Sequence, residues 1–500
     1  MIVDIEVYND VCKILTKLPQ DKDIALQDEC SFEVEGSEYK AKMLAIKTHG
    51  HAKWDGHRRL YNRTTHKFPI GLLDRVRDKL MDLGYTVHTI NKRKEPVKEY
   101  GEFKFNQNIH MRYYQEEAVI KSIFAGNGIV KIATGGGKTM VAAATIAQLG
   151  KNSIFIVHTR DLLYQTINAF KNAFPDEEIG QIGDGVLCCQ RITVATMQTL
   201  AILGDVELGK NKYDEEDNGD DEKPFTLTVD KKQLFKAYAE TVGVVMMDEV
   251  QIVSSQMAFG VRFLFPCANY AFGYSASPWR DDGSDMMIEA AFGTRIVDIN
   301  ATTLIREGYL VKPTIIINQT RKVSNPGKTY AEIYKNCIVE NESRNQQIVD
   351  DAIKQYDAGR NTLILITQIK HGETLTKMLN DRGYPAKFIS GKSRTKVRQQ
   401  VINDMRNGKA GLVVASTIAD VGLDVPRLQS IIEAGAGKSS VTALQRLGRI
   451  MRVFEGKDKC YFITYRDTAK YLRDQITAKI AIWRTEPGFE ICDTLFSNIQ

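Results

Sequence analysis

From about residue 128 the chain alternates short apolar runs with longer stretches whose apolar residues recur at helical spacing. Residues 128–133, 153–158, 191–195 and 242–247 are near-continuous apolar runs rich in β-branched residues. Runs of this length without polar alternation suit strands buried on both faces, the condition of a parallel sheet. Residues 138–149 and 161–173 carry the helical period between them and predict crossover helices. Residues 362–367, 386–389, 411–415 and 430–433 begin a second series of the same kind. The expected fold class is therefore α/β, with two tandem doubly wound parallel-sheet lobes.

The first hundred residues have another texture. They are β-rich with one predicted helix at 72–83, which suggests a small α+β domain, and residues 91–97 (N-K-R-K-E-P-V) predict a linker out of it. Residues 212–223 are acidic and polar between strand candidates, with too little apolar area to order themselves, so a mobile surface loop is expected there. After Arg466 the pattern predicts helix, with Trp483 and Pro487 near its end. The expected divisions are an N-terminal accessory domain at 1–105, a first lobe at 106–300, a second at 301–468 and a helical extension at 469–500. No internal repeat is found.

Composition narrows the class without choosing it. A chain of 500 residues is too long for one core, and 43% hydrophobic with 26% charged residues is ordinary for a globular protein. The net charge of +5 is uninformative, but its distribution is not. Residues 1–39 hold 3 Lys/Arg against 10 Asp/Glu, whereas residues 40–104 hold 16 against 7, enough local excess to hold a phosphate backbone. Eight cysteines without C-x-x-C spacing indicate neither a disulfide framework nor a zinc site and fit a reducing cytoplasm. No apolar stretch reaches the ~18–20 residues of a membrane span. His49, His51, His57 and His66 cluster loosely, which suits a nucleic-acid-facing surface better than a metal site.

The chemistry concentrates in three places. Residues 133–139 read A-T-G-G-G-K-T after a strand and before a helix, so backbone N–H groups and the helix dipole converge on one anion. Thr134, Gly135, Gly136 and Gly137 would wrap the phosphates, Lys138 would reach the β- and γ-phosphates, and Thr139 would hold Mg²⁺. The full G-x-x-x-x-G-K-[ST] pattern is not met, because its first glycine falls at Ile132. Asp248 and Glu249 follow a buried run and emerge at a strand's carboxyl end, where open α/β sheets bind ligands. Asp248 suits Mg²⁺, and Glu249 suits polarising the attacking water. Arg449 and Arg452 lie three apart on a predicted helix and share a face, so two guanidiniums are available to clamp a phosphoryl group from a second domain.

These motifs, in this order, resemble superfamily 2 helicases over residues 108–466. Arg112-Tyr113-Tyr114-Gln115 resembles the adenine-reading Q-motif, with Gln115 on the base edge. Residues 133–139 resemble motif I, 248–251 motif II, 275–277 (Ser275-Ala276-Ser277) motif III, 415–426 motif V and 445–452 motif VI. The resemblance implies two RecA-like lobes, with Gly422 and Asp424 approaching the nucleotide and Gln445, Arg449 and Arg452 completing the hydrolytic set. It implies nucleic-acid contacts at Thr159, Arg160, Thr196, Thr367, Gln368 and Thr417, and coupling through Gln251, Ser275 and Ser277. Gln251 departs from the His or Asp usual at its position: it can hydrogen-bond but carries no charge. Residues 53–60 (K-W-D-G-H-R-R-L) and 68–73 resemble the accessory domain of phage recombination and branch-migration helicases, with Lys53, Trp54, Arg58 and Arg59 as candidate DNA contacts.

The resemblance thus implies an ATP- and Mg²⁺-dependent DNA helicase, moving 3′-to-5′ on single-stranded, forked or branched DNA in recombination, repair or replication. A duplex translocase without strand separation, an RNA helicase and an ATP-gated DNA clamp remain alternatives. A monomer is expected, in the cytoplasm (the host cell's for a phage protein), with recombination or single-strand-binding proteins as candidate partners.

Overall fold

The computed structural model describes residues 1–34, 36–37, 54–97, 101–206, 228–251, 255–277, 285–409, 411–416, 425–435, 437 and 440–493. The acidic stretch 212–223 and the candidate residues Lys53, Thr417, Gly422 and Asp424 lie outside them. The chain forms two units. The first comprises residues 1–132, 137–211 and 222–298, and the second comprises 133–136, 212–221 and 299–500.

In the first unit, β1 (Ile2–Val7), β2 (Val11–Ile14), α1 (Gln20–Glu29), β3 (Ser31–Glu33), β4 (His57–Arg59), β5 (Lys67–Pro69), α2 (Leu73–Asp82) and β6 (Thr86–Asn91) come first. They build a four-stranded sheet of order β5-β2-β1-β6 and a separate β3-β4 pair. The apolar side chains of this layer (Val3, Ile5, Leu26, Phe68, Val76 and Leu80 among them) share a core with Ala290, Phe259, Phe263 and Met286 of the following region. Residues 1–97, with their own sheet and core, group with the first unit, and side chains far along the chain complete that core.

There follow α3 (Tyr113–Ala125), β7 (Asn127–Ile132), α4 (Lys138–Leu149), β8 (Ser153–Val157), α5 (Arg160–Ala173), β9 (Ile179–Gly183), β10 (Val186–Cys188), β11 (Ile192–Thr196), α6 (Met197–Leu203), α7 (Val229–Ala239), β12 (Val244–Asp248), α8 (Ser255–Arg262), β13 (Tyr270–Ser275), α9 (Asp285–Phe292) and β14 (Arg295–Ile299). Their sheet has the order β10-β9-β11-β8-β12-β13-β7-β14 and is parallel from β9 to β7. Every residue of β8, β11 and β12 is buried, which is why the sequence showed them as unbroken apolar runs.

The second unit carries α10 (Ala301–Arg306), β15 (Pro313–Gln319), α11 (Tyr330–Tyr334), α12 (Glu342–Asp357), β16 (Thr362–Ile366), α13 (Ile369–Asp381), β17 (Lys387–Ile389), α14 (Thr395–Arg406), β18 (Leu412–Ser416), β19 (Ser430–Glu433), α15 (Ser440–Ile450), β20 (Cys460–Arg466), α16 (Lys470–Trp483) and β21 (Glu490–Asp493). Its seven strands run parallel in the order β17-β18-β16-β19-β20-β15-β21. The expected helical extension is corrected here. The chain forms α16, buries Trp483 against Phe462, then returns as β21 to the edge of the same sheet.

Candidate nucleotide-hydrolysis site

The phosphate loop begins where β7 ends. Gly135 and Gly137 have φ of 85° and 86°, left-handed values that a side chain resists, and α4 starts directly after Gly137. A Cβ on Gly137 would sit 2.3 Å from Gln115 Nε2, so that side-chain amide would have to shift to admit one. Gln115 is buried and accepts the Arg112 backbone N–H through Oε1 at 2.9 Å, while Arg112 Nη1 donates to the Tyr114 hydroxyl at 2.9 Å. The Q-motif candidate thus lies against the loop it was expected to serve. Thr139 lies in the first turn of α4, and the Thr134 hydroxyl is buried with no acceptor or donor.

β12 delivers the acids. Asp248 is its last residue and only 8% exposed, and its Oδ1 accepts the Glu249 N–H at 3.0 Å. Glu249 has φ of 47°, uncommon for a residue with a side chain, and this turn swings its carboxylate to 3.2 Å from Lys138 Nζ. Gln251 Nε2 donates to Glu249 Oε2 at 2.7 Å, and Ser275 Oγ donates to Gln251 Oε1 at 2.5 Å. Ser275 Oγ also accepts the Ser277 N–H at 2.9 Å. Motifs I, II and III are therefore one hydrogen-bonded chain: Lys138, Glu249, Gln251, Ser275, Ser277.

The electrostatics separate the two carboxyls. Burial, then the charge of Glu249, push Asp248 up to about 7. Burial also acts on Glu249, but the Lys138 amine and the Gln251 hydrogen bond outweigh it and hold that carboxyl below the usual range. A buried carboxyl pushed up by burial and a neighbouring anion, with Glu249 reaching Lys138 at the glycine-rich helix start, fits a divalent cation with its phosphates. His158, just past β8, was not foreseen. Burial pushes its imidazole down to about 4 despite Glu249, and its Nδ1 has no partner. Only its place at the carboxyl end of a strand next to β12 signalled it.

In the second unit Gln445 and Arg449 lie on α15. Arg452 does not share that helix, which corrects the expected i, i+3 face. α15 stops at Ile450, and Arg452 forms a β-bridge with Leu310. The position of α15 is fixed by a buried carboxylate: Glu433 accepts Arg446 Nη1 and Lys479 Nζ, both at 2.7 Å, and Thr464 Oγ1 at 2.9 Å.

Residues 108–254 match the family model described as "Type III restriction enzyme, res subunit", and residues 344–454 match "Helicase conserved C-terminal domain". The chain belongs to the superfamily 2 helicases. Among relatives, it is similar to "ATP-dependent DNA helicase uvsW" of Enterobacteria phage T4, at 23% identity over 85% of this chain and 83% of that protein. It is also similar to a helicase-named protein of Sulfolobus islandicus filamentous virus (24%, covering 71% and 64%) and to "DNA 3'-5' helicase XPB" of Kineococcus radiotolerans (24%, covering 72% and 60%). This helicase spans less than two thirds of the latter two proteins. A restriction-enzyme HsdR fragment from Vibrio vulnificus shares the fold at a TM-score of 0.52 and 17% identity, over 92% of this chain and 84% of that one. The helicase thus has tandem RecA-like lobes.

The candidate nucleic-acid contacts of this helicase divide into free and occupied groups. Thr367 and Gln368 are exposed just past β16. Thr159 caps α5, accepting the Leu162 N–H at 3.3 Å, and Arg160 Nε pairs with Asp184 at 3.1 Å. Thr196 is buried, its hydroxyl donating to Thr199 at 2.8 Å. Near the N-terminus, the Trp54 indole donates to the His57 carbonyl at 2.8 Å, Arg59 is paired with Asp55, and Arg58 is half-buried.

Proposed function

We propose that this helicase is a DNA-dependent ATPase that moves 3′-to-5′ and unwinds or branch-migrates forked DNA. The observation that carries the reading is the continuous link from Lys138 through Glu249 and Gln251 to Ser275. It connects the phosphate-binding lysine and the candidate base to the segment that, in this superfamily, couples hydrolysis to strand movement. Lys138 and the glycine-loop N–H groups bind the phosphates, and Gln115 and Arg112 hold the base. Asp248 and Thr139 hold Mg²⁺, which when bound supplies charge neutralisation at the phosphates. Glu249, kept ionised by Lys138, orients water and accepts its proton. Arg449 and Arg452 are the proposed γ-phosphate sensors, and Gln445 supports them.

Recombination, repair or fork remodelling fits the similarity to UvsW and to XPB. ATPase and strand displacement measured on single-stranded, duplex, forked and four-way DNA, with single-stranded RNA alongside, test the reading. We expect strongest activity on forked or four-way DNA, and loss of turnover with retained DNA binding in Lys138→Ala. Stimulation by RNA alone, or wild-type turnover in Lys138→Ala, overturns it.

A further inference from the structure

The seam between the N-terminal layer and α8 holds a cation that hydrolysis does not use. Arg262, the last residue of α8, is 1% exposed, and its Nε and Nη1 have no acceptor. Its guanidinium lies 5.1 Å from the ring centroid of Phe263. Burial pushes it down to about 10, Asp10 attracts it through space without a hydrogen bond, and Arg93 repels it. The Nε of Arg93 is likewise buried without an acceptor. Asn9 ties together the backbone segments that carry Asp10 and Arg93 and the chain that follows Arg262. Its amide donates to Asn269 Oδ1 at 2.9 Å, to the Lys94 carbonyl at 3.1 Å and to the Ala268 carbonyl at 3.4 Å. The Lys94 N–H returns a bond to Asn9 Oδ1 at 2.7 Å. The β1–β2 turn, the segment after β6 and the chain just past α8 are thereby pinned together.

A buried water would satisfy the orphaned hydrogens but, with two guanidiniums against the single carboxylate of Asp10, would leave a net positive charge at the seam. An oxyanion does both, and guanidinium forks match the oxygen spacing of phosphate. We propose that Arg262 and Arg93 form a phosphate-binding site at this seam, distinct from the phosphate loop. Arg93 is half-buried and flanked by exposed Lys92 and Lys94, so the site opens towards solvent on a basic edge. Its phosphate comes either free from solution or from a nucleic-acid strand.

The test uses the full chain carrying Lys138→Ala, which removes the phosphate-loop lysine. Thermal unfolding is followed while inorganic phosphate replaces chloride at constant ionic strength. We expect a saturable rise on the order of 2 °C at ten times the dissociation constant. Arg262→Met should abolish the rise, and its own midpoint in chloride should not fall, because the change removes a buried unpaired charge. If Arg262→Met does not fold, Arg93→Gln carries the same comparison. An unchanged phosphate response in the variant that folds, or no response in the parent, overturns the proposal. The source is separated by the salt dependence of oligonucleotide binding. A slope reduced by about one in Arg93→Gln assigns the site to a strand phosphate, and an unchanged slope with a lost phosphate response assigns it to the free anion.

Discussion

Asp248→Asn is expected to stabilise the nucleotide-free helicase while abolishing turnover. The aspartate is buried beside Glu249, and both effects push its carboxyl from 3.8 up to about 7. A carboxyl raised on folding binds its proton more tightly in the native state. The unfolded chain therefore releases it first, and stability falls as pH rises from about 4 to about 7. At about 1.4 kcal/mol per pH unit the penalty above pH 7 is on the order of 4 kcal/mol, and relaxation around the Glu249 pair brings the expected range to roughly 2–4 kcal/mol. Asparagine keeps the shape and the bond from the Glu249 N–H without the charge. Thermal midpoints of both proteins should be measured from pH 4 to pH 9. The variant should unfold higher by several degrees at pH 8, and the gap should close towards pH 4, where the wild-type carboxyl is protonated in both states. Mg²⁺ with nucleotide should then raise the wild-type midpoint selectively. A gap independent of pH, or a variant less stable at pH 8, refutes the electrostatic reasoning. Equal stabilisation of both by Mg²⁺ and nucleotide refutes the assignment of Asp248 to the metal.

Gly137→Ala should cost about 1–3 kcal/mol and eliminate nucleotide binding, because φ is 86° there and the new Cβ meets Gln115; unfolding midpoints and titration with a fluorescent nucleotide check both. Arg75→Ala should destabilise the first unit by about 2 kcal/mol. It removes a fork held at 2.8 and 2.7 Å by Glu289 of α9 and a third bond to Glu29 of α1, and Arg75→Lys should recover only part in a denaturant titration. Glu433→Gln should cost about 3–5 kcal/mol near neutral pH by leaving Arg446 and Lys479 buried without their carboxylate. Burial works against that carboxylate, but Lys479 and Arg446 hold it below the usual range. The wild-type advantage should therefore be full above the ordinary glutamate range and shrink in acid, as pH-dependent unfolding would show.

What the sequence made legible follows from which forces act locally. The strands at 153–157, 192–196 and 244–248 were readable because a parallel strand covered on both faces must be apolar throughout. The helix at 138–149 matched to the residue, because glycine punctuates both ends with left-handed caps. The union of residues 1–97 with the first unit was not readable. It rests on Gly71 packed so closely that a Cβ would lie 2.1 Å from the Glu289 carbonyl, and on Arg75 reaching the same residue, a contact more than two hundred positions away. The departure of Arg452 from its helix has the same origin, since its partner is Leu310. Nor did the amphipathic pattern of α16 show that β21 returns afterwards to pair with β15.

Gln251 shows most clearly where residue type ends and geometry begins. Its identity alone left the link from motif II to motif III undecided, because an amide can bond in many directions. The carboxylate of Glu249 only accepts, so the partner contacting it must donate, and Nε2 does so at 2.7 Å. That leaves Oε1 for the Ser275 hydroxyl, whose proton is committed to it because the same oxygen also accepts the Ser277 N–H. Each bond dictates the direction of the next, from the lysine on the phosphate loop to the backbone of motif III. An aspartate here would face Glu249 with a second acceptor and break the chain. A histidine would donate to Glu249 with a strength that varies with its protonation. The neutral amide therefore fixes one polarity along the hydrogen-bonded link from Glu249 to Ser277.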